Sequence, residues 1–177
     1  MNQTNRMKPF LSKLVRNKVS RILTIVSIGL PIGVCAETVP LNVGQTIHQI
    51  QLQDQFDRPH QLSTNVKLVL FAADKAGGKL IQAWMNNKDD SFLEESSTLL
   101  IVDIHRMPSI FISTIGLPLL RRHSFSMLII KDDQTGQIFA YKEGQVTLLQ
   151  LSNLTIKQIE FASSVAEIET MFYRFQK

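Results

Sequence analysis

One stretch near the middle of the chain decides the fold: "LVLFAADKAGGKLIQAW", from Leu68 to Trp84. It begins inside a run of strand-forming residues, Val66 to Ala73, that does not alternate between apolar and polar positions. Such runs are typical of strands covered on both faces. The glycines at 77 and 78 indicate a turn, Ala76-Gly77-Gly78-Lys79, and a helix is predicted from Lys79 to about Asn87, with one apolar face.

A second unalternating run, "TLLIVDI" from Thr98 to Ile104, follows the helix. A short helix from Phe92 to Ser96 is predicted between the two. The order strand, helix, strand over this distance predicts two parallel, neighbouring strands joined by a right-handed crossover. The carboxyl ends of both strands then lie at one edge of the sheet.

The N-terminal side of this unit predicts a β-hairpin. "TIHQIQLQD", from Thr46 to Asp54, alternates between apolar and polar residues, with an irregularity at His48-Gln49. "DQFDRP" has the composition of a turn, and a short strand is predicted over residues 60–62.

The C-terminal side predicts more strands and a final helix. "FSMLII" (residues 125–130) is a third apolar strand, and "KDDQTG" after it is predicted as a turn. Two strands, Gln145 to Leu151 and Ile156 to Ala162, form a second hairpin. Ser163 or Ser164 caps the last helix, and Glu167 completes a capping box if Ser164 is the cap.

The segment from Ser109 to Leu120, "SIFISTIGLPLL", is apolar almost all round and is followed by Arg121-Arg122. Pro108 suits the first turn of a helix, and Gly116 and Pro118 should kink or end it. We interpret the segment as a buried core helix. The alternative is a patch, Ser109 to Arg122, that touches a membrane or a partner.

The charge of the chain is unevenly distributed. Of 177 residues, 44% are hydrophobic and 19% charged, as expected for a globular protein with a core. The first 36 residues hold six of the 19 basic residues and none of the 15 acidic ones, so the remainder has a charge of −2. The net charge of +4 therefore gives no argument for nucleic-acid binding.

The basic N-terminal segment has the pattern of a secretory signal. After Arg21 comes an apolar run, Ile22 to Val34, which spans only about 20 Å as a helix. We predict cleavage after Ala36, a signal peptide over residues 1–36, one domain over 37–177 and a periplasmic location. An uncleaved anchor is the alternative. Cleavage would remove Cys35, the only cysteine, and leave a mature chain unable to form a disulfide.

The order of elements resembles the thioredoxin-like fold, in the form found in secreted redoxin-type proteins. "VGQTIHQIQLQDQFDRPHQL" resembles their N-terminal hairpin, and "KLVLFAADKAGGK" is similar to their strand and redox turn. The resemblance covers residues 43–175. It implies an α/β three-layer sandwich with a mixed central sheet and an N-terminal β-hairpin.

The chain departs from this family where the family does its chemistry. The resemblance puts Ala76 at the position of the nucleophilic cysteine and Lys79 at that of the resolving cysteine. It puts the family's cis-proline at Phe125 or Ser126, and neither is a proline. Thiol–disulfide exchange is therefore not expected, and no catalytic residue is carried over. The chain also lacks a dinucleotide-binding fingerprint, so no cofactor is predicted.

Charged and glycine residues at the ends of the two parallel strands are the candidate binding site. Ligands in open α/β sheets tend to bind at that edge. Two carboxylates there could bind a cation, and backbone amides of the glycine turn could bind an anion. The alternative is a purely structural role, in which the aspartates cap neighbouring elements and the lysines face water. The candidate residues are Asp74, Lys75, Ala76, Gly77, Gly78, Lys79, Asp103, His105 and Arg106.

Other chemistry has little support in the sequence. The four histidines show no metal-binding spacing, and no serine has the surroundings of a nucleophile. Three classes of function remain: a binding or scaffolding module for a periplasmic protein or small ligand, a non-thiol enzyme at the same edge, and a membrane-associated protein that uses Ser109 to Arg122. The absence of a catalytic constellation favours the binding module.

Overall fold

The computed structural model describes residues 39–47, 50–108, 110 and 112–177. The predicted signal segment and the predicted irregularity at His48-Gln49 lie outside the described residues. The described residues all belong to one compact unit.

A seven-stranded mixed sheet forms the centre of this unit, with the strand order β2-β1-β5-β4-β3-β6-β7. The pair β3–β4 and the pair β4–β5 are parallel, and the other pairs are antiparallel. Both predicted hairpins and the parallel pairing of β3 with β4 are confirmed. The strands are β1 (Gln51–Asp54), β2 (Pro59–Gln61), β3 (Leu68–Ala72), β4 (Thr98–Asp103), β5 (Leu128–Ile130), β6 (Val146–Ser152) and β7 (Thr155–Ala162).

In the described part of the chain, five α-helices and one π-helix connect and cover the strands. The π-helix, Ile112–Gly116, leads directly into α3, Leu117–Leu120. The α-helices are α1 (Lys75–Met85), α2 (Phe92–Glu95), α3 (Leu117–Leu120), α4 (Asp133–Ile138) and α5 (Val165–Phe175).

Strand β3 is the central element of two cores, one on each face of the sheet. Leu68, Leu70 and Ala72 join the core under α1 and α5, whereas Val69 and Phe71 join the core on the opposite face. All five residues of β3 are fully buried, which explains the absence of alternation. Burial of each large apolar side chain favours folding by about 1.5–3 kcal/mol.

The predicted turn "KDDQTG" is wrong, because most of it forms helix α4. Asp132 is the N-cap, and its side chain accepts a hydrogen bond of 2.9 Å from the Thr135 amide. Aspartate favours turns and helix caps for the same reason, so the composition did not separate the two. At α5, Ser164 is the predicted cap, but the Glu167 carboxylate accepts from the Ser163 amide rather than closing on Ser164 itself.

The segment after Pro108 is not the buried helix that its composition predicts. None of the π-helix or α3 residues is buried, and Ile110, Ile115 and Leu119 are 73%, 50% and 51% exposed. Gly116 and Pro118 do not stop the helical path; they lie where the π-helix changes to α3. The segment packs on the sheet with one side only, through Ile112, Leu117 and Leu120.

Arg121 ties the end of this segment to the N-terminal hairpin. Its guanidinium donates to the Gln55 carbonyl at 2.7 Å and pairs with Asp57 at 2.8 Å. Among the described residues, no helix is long and apolar enough to cross a bilayer.

Candidate functional site

Asp74 follows β3 and begins α1. Its Oδ1 accepts a hydrogen bond of 2.8 Å from the Gly77 amide, and its Oδ2 accepts one of 2.6 Å from the Gly144 amide. The predicted turn at 76–79 is therefore wrong: these residues form the first turns of a helix that starts at Lys75. Because Asp74 already occupies the Gly77 amide, that group is not open to an anion.

Gly77 and Gly78 differ in what surrounds them. A Cβ at Gly77 would lie 2.8 Å from the Gln145 carbonyl oxygen, whereas a Cβ at Gly78 would meet no atom within 4 Å. Gly77 allows the loop before β6 to approach α1, and Gly78 only weakens the helix.

This difference predicts opposite effects of the same substitution. Gly78→Ala should raise the free energy of unfolding by about 0.5–1 kcal/mol, because alanine has the higher helix propensity. Gly77→Ala should lower it by about 1–3 kcal/mol, because the new methyl group overlaps backbone. Urea unfolding followed by circular dichroism measures both. A loss of stability in Gly78→Ala would contradict the open surroundings of that glycine.

Asp103 ends β4 and is buried, at 3% exposure. Its Oδ1 accepts hydrogen bonds from the His105 amide at 2.9 Å and from the His105 ring Nδ1 at 2.6 Å. Its Oδ2 has no partner among the described residues and lies 2.7 Å from where a Cβ at Gly136 would be. Asp103 is therefore not an exposed charge at the strand end, because its carboxylate turns inward to the histidine.

His105 lies between two carboxylates. Its Nδ1 faces Asp103, and its Nε2 lies 3.2 Å from Oδ1 of Asp133, an exposed residue of α4. Gly136 of α4 lies close to this ring, since a Cβ on Gly136 would be 2.8 Å from the Nδ1 and Cε1 atoms of His105. Both ring nitrogens have partners, so His105 positions α4 against the strand end and presents no free nitrogen as a general base.

Arg106 packs on Tyr141, which the sequence analysis missed. The guanidinium carbon is 4.3 Å from the centre of the tyrosine ring, and the guanidinium donates a hydrogen bond to the hydroxyl. This hydrogen bond raises the pKa of Arg106 above its ordinary value. Tyr141 is 35 residues away along the chain in an irregular segment, so no local pattern indicates the pairing.

A cavity of about 790 Å³ lies at this edge of the sheet. Of the candidate residues, Asp74, Lys75, Asp103 and Arg106 line it. The carboxylate of Asp103 contributes little to its surface, because Oδ2 is inaccessible to solvent. The other walls come from the loop after β4, the π-helix, α3 and the segment before β6, including Met107, Ile115, Leu119, Tyr141 and Glu143.

A narrower apolar cavity of about 220 Å³ adjoins it. Gly78 and Lys79 line this second cavity, and Lys75 lines both. Ala76 is exposed, and Gly77 is buried in contact with the loop before β6. Neither of them lines a cavity, and nor does His105. The structure thus brings six of the nine candidates to two adjoining cavities. No group of three histidine, cysteine, aspartate or glutamate side chains suited to a metal ion occurs among the described residues.

The order of strands in the sheet also changes which residue of this chain corresponds to the cis-proline of the thioredoxin-like family. The strand that flanks β3 on the side away from β4 is β6, which begins at Val146. The residue that faces the first turn of α1 is therefore Gln145 and not Phe125 or Ser126, which precede β5 at the far side of β4. Gln145 is not a proline either.

Comparison with known proteins supports the fold and no particular relative. No family model matches the chain, and no curated protein matches it. The solved structure of a thiol:disulfide interchange protein, DsbE from Chlorobium tepidum, is similar with a TM-score of 0.53 and 12% identity, and the match covers 77% of this chain and 99% of that one. A protein disulfide isomerase structure from Bacteroides thetaiotaomicron has a TM-score of 0.51 and 11% identity, covering 76% and 87%.

These similarities and the sheet topology show that the chain has the thioredoxin-like fold, an α/β fold with a mixed seven-stranded sheet. It is a member of this fold with a single cysteine, Cys35, and with none at the start of α1. One cysteine cannot form a disulfide within the chain.

Proposed function

We propose that the protein is an exported, periplasmic binding module, in which the thioredoxin-like fold serves as a scaffold for a ligand site rather than for thiol chemistry. One observation carries the proposal: a cavity of about 790 Å³ lies at the carboxyl ends of β3 and β4, with Asp74, Lys75 and Arg106 on its wall. This is the edge where open α/β sheets bind ligands, and the volume is in the range of small-molecule sites.

The other residues at this edge favour binding over catalysis. The Asp74 carboxylate is engaged by two backbone amides, and the His105 ring has a carboxylate on each side. These two groups, which could otherwise act as acid or base, therefore hold structure. The side chains that reach the cavity as cations, Lys75 and Arg106, are groups that bind and orient anions.

The opposite end of the sheet supplies an internal control for a binding test. A second groove, of about 600 Å³, lies there and is lined by Lys67, Ser97 and Gln150 among others. Titration of the purified protein with a fragment library, followed by ¹H–¹⁵N spectra, should shift the amides of Lys75, Arg106 and their neighbours. Fragments that gather only at the opposite groove would contradict the proposed site.

A second candidate function is contact with a membrane through the segment from Ser109 to Arg122. The observation that favours it is the exposure of Ile110, Ile115 and Leu119, beside the exposed Arg122. Flotation with vesicles of phosphatidylcholine and phosphatidylglycerol tests this candidate, because an anionic surface would attract the arginine and take up the apolar side chains.

A further inference from the structure

The two cavities at the edge of the sheet are different in character and share a wall. Met107, Gly116 and Leu119 line both. The narrow cavity extends under α3 between apolar side chains of the core, including Ile81, Leu100, Ile104 and Met127. Its volume of about 220 Å³ exceeds that of an apolar cavity of about 150 Å³ that is known to take up benzene. It is thus large enough for an aromatic ring or a short acyl chain.

The mouth of the narrow cavity carries two free cations. Lys75 and Lys79 are one helical turn apart on α1, both are exposed, and neither has an ion-pair partner among the described residues. Asp74 is the acidic residue that lines the same cavity, and both of its oxygens accept backbone amides. An anion at this mouth would meet two ammonium groups and one carboxylate, and both oxygens of that carboxylate are occupied by backbone amides.

Beyond these three residues, His123 is the ionisable residue that lines the narrow cavity, and the other charged residues of the site line only the wider one. Arg106 is stacked on Tyr141, and Glu143 lines the wider cavity but not the narrow one. The narrow cavity therefore combines an apolar interior with a basic mouth. A ligand that matches this combination has one apolar end and one negative end.

We propose that the narrow cavity binds a small organic anion, a carboxylate with a short acyl chain or an aromatic group. The apolar end enters the space between α1, β4 and α3, and the carboxylate binds to Lys75 and Lys79. This inference rests on the proposed binding function and names the class of its ligand.

Titration of the ¹⁵N-labelled protein with butanoate, hexanoate and octanoate tests the apolar end. The dissociation constant should fall by about fourfold for each methylene that is buried, and the gain should stop when the chain fills the cavity. Acetate should not bind detectably. Affinities that are the same for acetate and hexanoate would overturn the proposal.

Hexan-1-ol tests the charged end, because it has the same tail without the charge. Hexanoate should bind about fivefold more tightly than hexan-1-ol to the parent protein. The double variant Lys75→Gln with Lys79→Gln should remove this preference. A matched control, Lys67→Gln with Lys157→Gln, removes the same amount of charge at two exposed lysines elsewhere. This control variant should retain the preference for hexanoate over hexan-1-ol. Equal binding of the acid and the alcohol to the parent protein would overturn the ligand class.

Gly78→Leu tests the location of the tail. Gly78 lines the narrow cavity, and a side chain there extends into open space, so the variant should fold and fill part of the cavity. It should weaken octanoate binding by about tenfold or more, because its side chain displaces buried methylenes of the ligand, whereas Gly78→Ala should weaken it much less. Unchanged octanoate affinity in a folded Gly78→Leu would overturn the proposal.

Two results distinguish a failure of this inference from a failure of the proposed binding function and from contact with a membrane. If library fragments shift the amides at this edge but hexanoate does not bind, the ligand class is wrong and the proposed binding function stands. If the protein floats with phosphatidylcholine–phosphatidylglycerol vesicles and does not bind monomeric hexanoate, the surface recognises a membrane and the small-anion site is wrong.

Discussion

Trp84→Ala should lower the free energy of unfolding by about 3–5 kcal/mol, which is the range for truncating a buried aromatic side chain to alanine. Trp84 is 3% exposed and packs between Phe92 and Phe172, with ring centres 5.5 and 5.2 Å away. The substitution leaves a cavity where α1, α2 and α5 meet. Since Trp84 is the only tryptophan, urea unfolding has to be followed by far-ultraviolet circular dichroism.

The polar end of the same side chain adds to the expected loss. The Trp84 Nε1 donates to Glu169, whose carboxylate also pairs with Lys88 at 2.9 Å. Burial alone would raise the pKa of Glu169, but the hydrogen bonds from Lys88 and Trp84 outweigh it and lower the pKa below its ordinary value. The substitution removes one of these donors from a partly buried carboxylate.

Tyr173→Ala is the control for this prediction. Tyr173 contacts Phe172 in the same cluster and also hydrogen-bonds Glu169, but it is 55% exposed, so its loss should cost less than about 1 kcal/mol. Equal losses in the two variants would mean that α1 is not held by Trp84. That result would also weaken the placement of Lys75 and Lys79, because both are on the helix that Trp84 attaches to α5.

Sequence patterns predicted the sheet well because burial on both faces leaves a direct mark in the sequence. Strand β3 is apolar at every position, and every one of its residues is buried against one of two cores. Parallel pairing of β3 with β4 followed from the helix between them. The ends of these strands therefore met at one edge, as expected, and they brought Asp74 and Arg106 to a single cavity.

Predictions failed where one residue type serves two structures. The glycines at 77 and 78 indicated a turn, but Asp74 caps a helix that runs through both. The segment after Pro108 looked buried because its residues are apolar, yet only one of its sides meets the core. Composition indicates whether a side chain prefers to be buried. Whether it is buried depends on which other elements of the fold pack against it.

Contacts between distant segments left no local mark at all. Tyr141 reaches Arg106 and Gly136 approaches His105 only because α4 folds back over the carboxyl end of β4. Lys79 was a candidate because of its place beside the glycines, and the cavity that it lines is formed mainly by core residues of other elements. No spacing in the sequence indicates that cavity.

Asp103→Asn should lower the free energy of unfolding by about 1–3 kcal/mol, in contrast to the loss of about 0.5 kcal/mol or less that an exposed strand-end charge would give. The amide oxygen can replace Oδ1 and accept the two hydrogen bonds from His105. The new amide nitrogen then takes the place of Oδ2, which is buried against Gly136 and has no partner among the described residues. Two donors would be buried there without an acceptor. Urea unfolding monitored by Trp84 fluorescence measures the loss.

Asp133→Asn is the matched control, because Asp133 faces the other nitrogen of the same imidazole ring but has a side chain that is 65% exposed. Its substitution should cost about 0.5 kcal/mol or less, since water solvates the new amide. If Asp103→Asn costs as little as Asp133→Asn, the Asp103 carboxylate is not buried in the folded protein. It would then face the cavity as a free negative charge beside Lys75 and Arg106, and the wider cavity would favour a cation or a zwitterion instead of an anion.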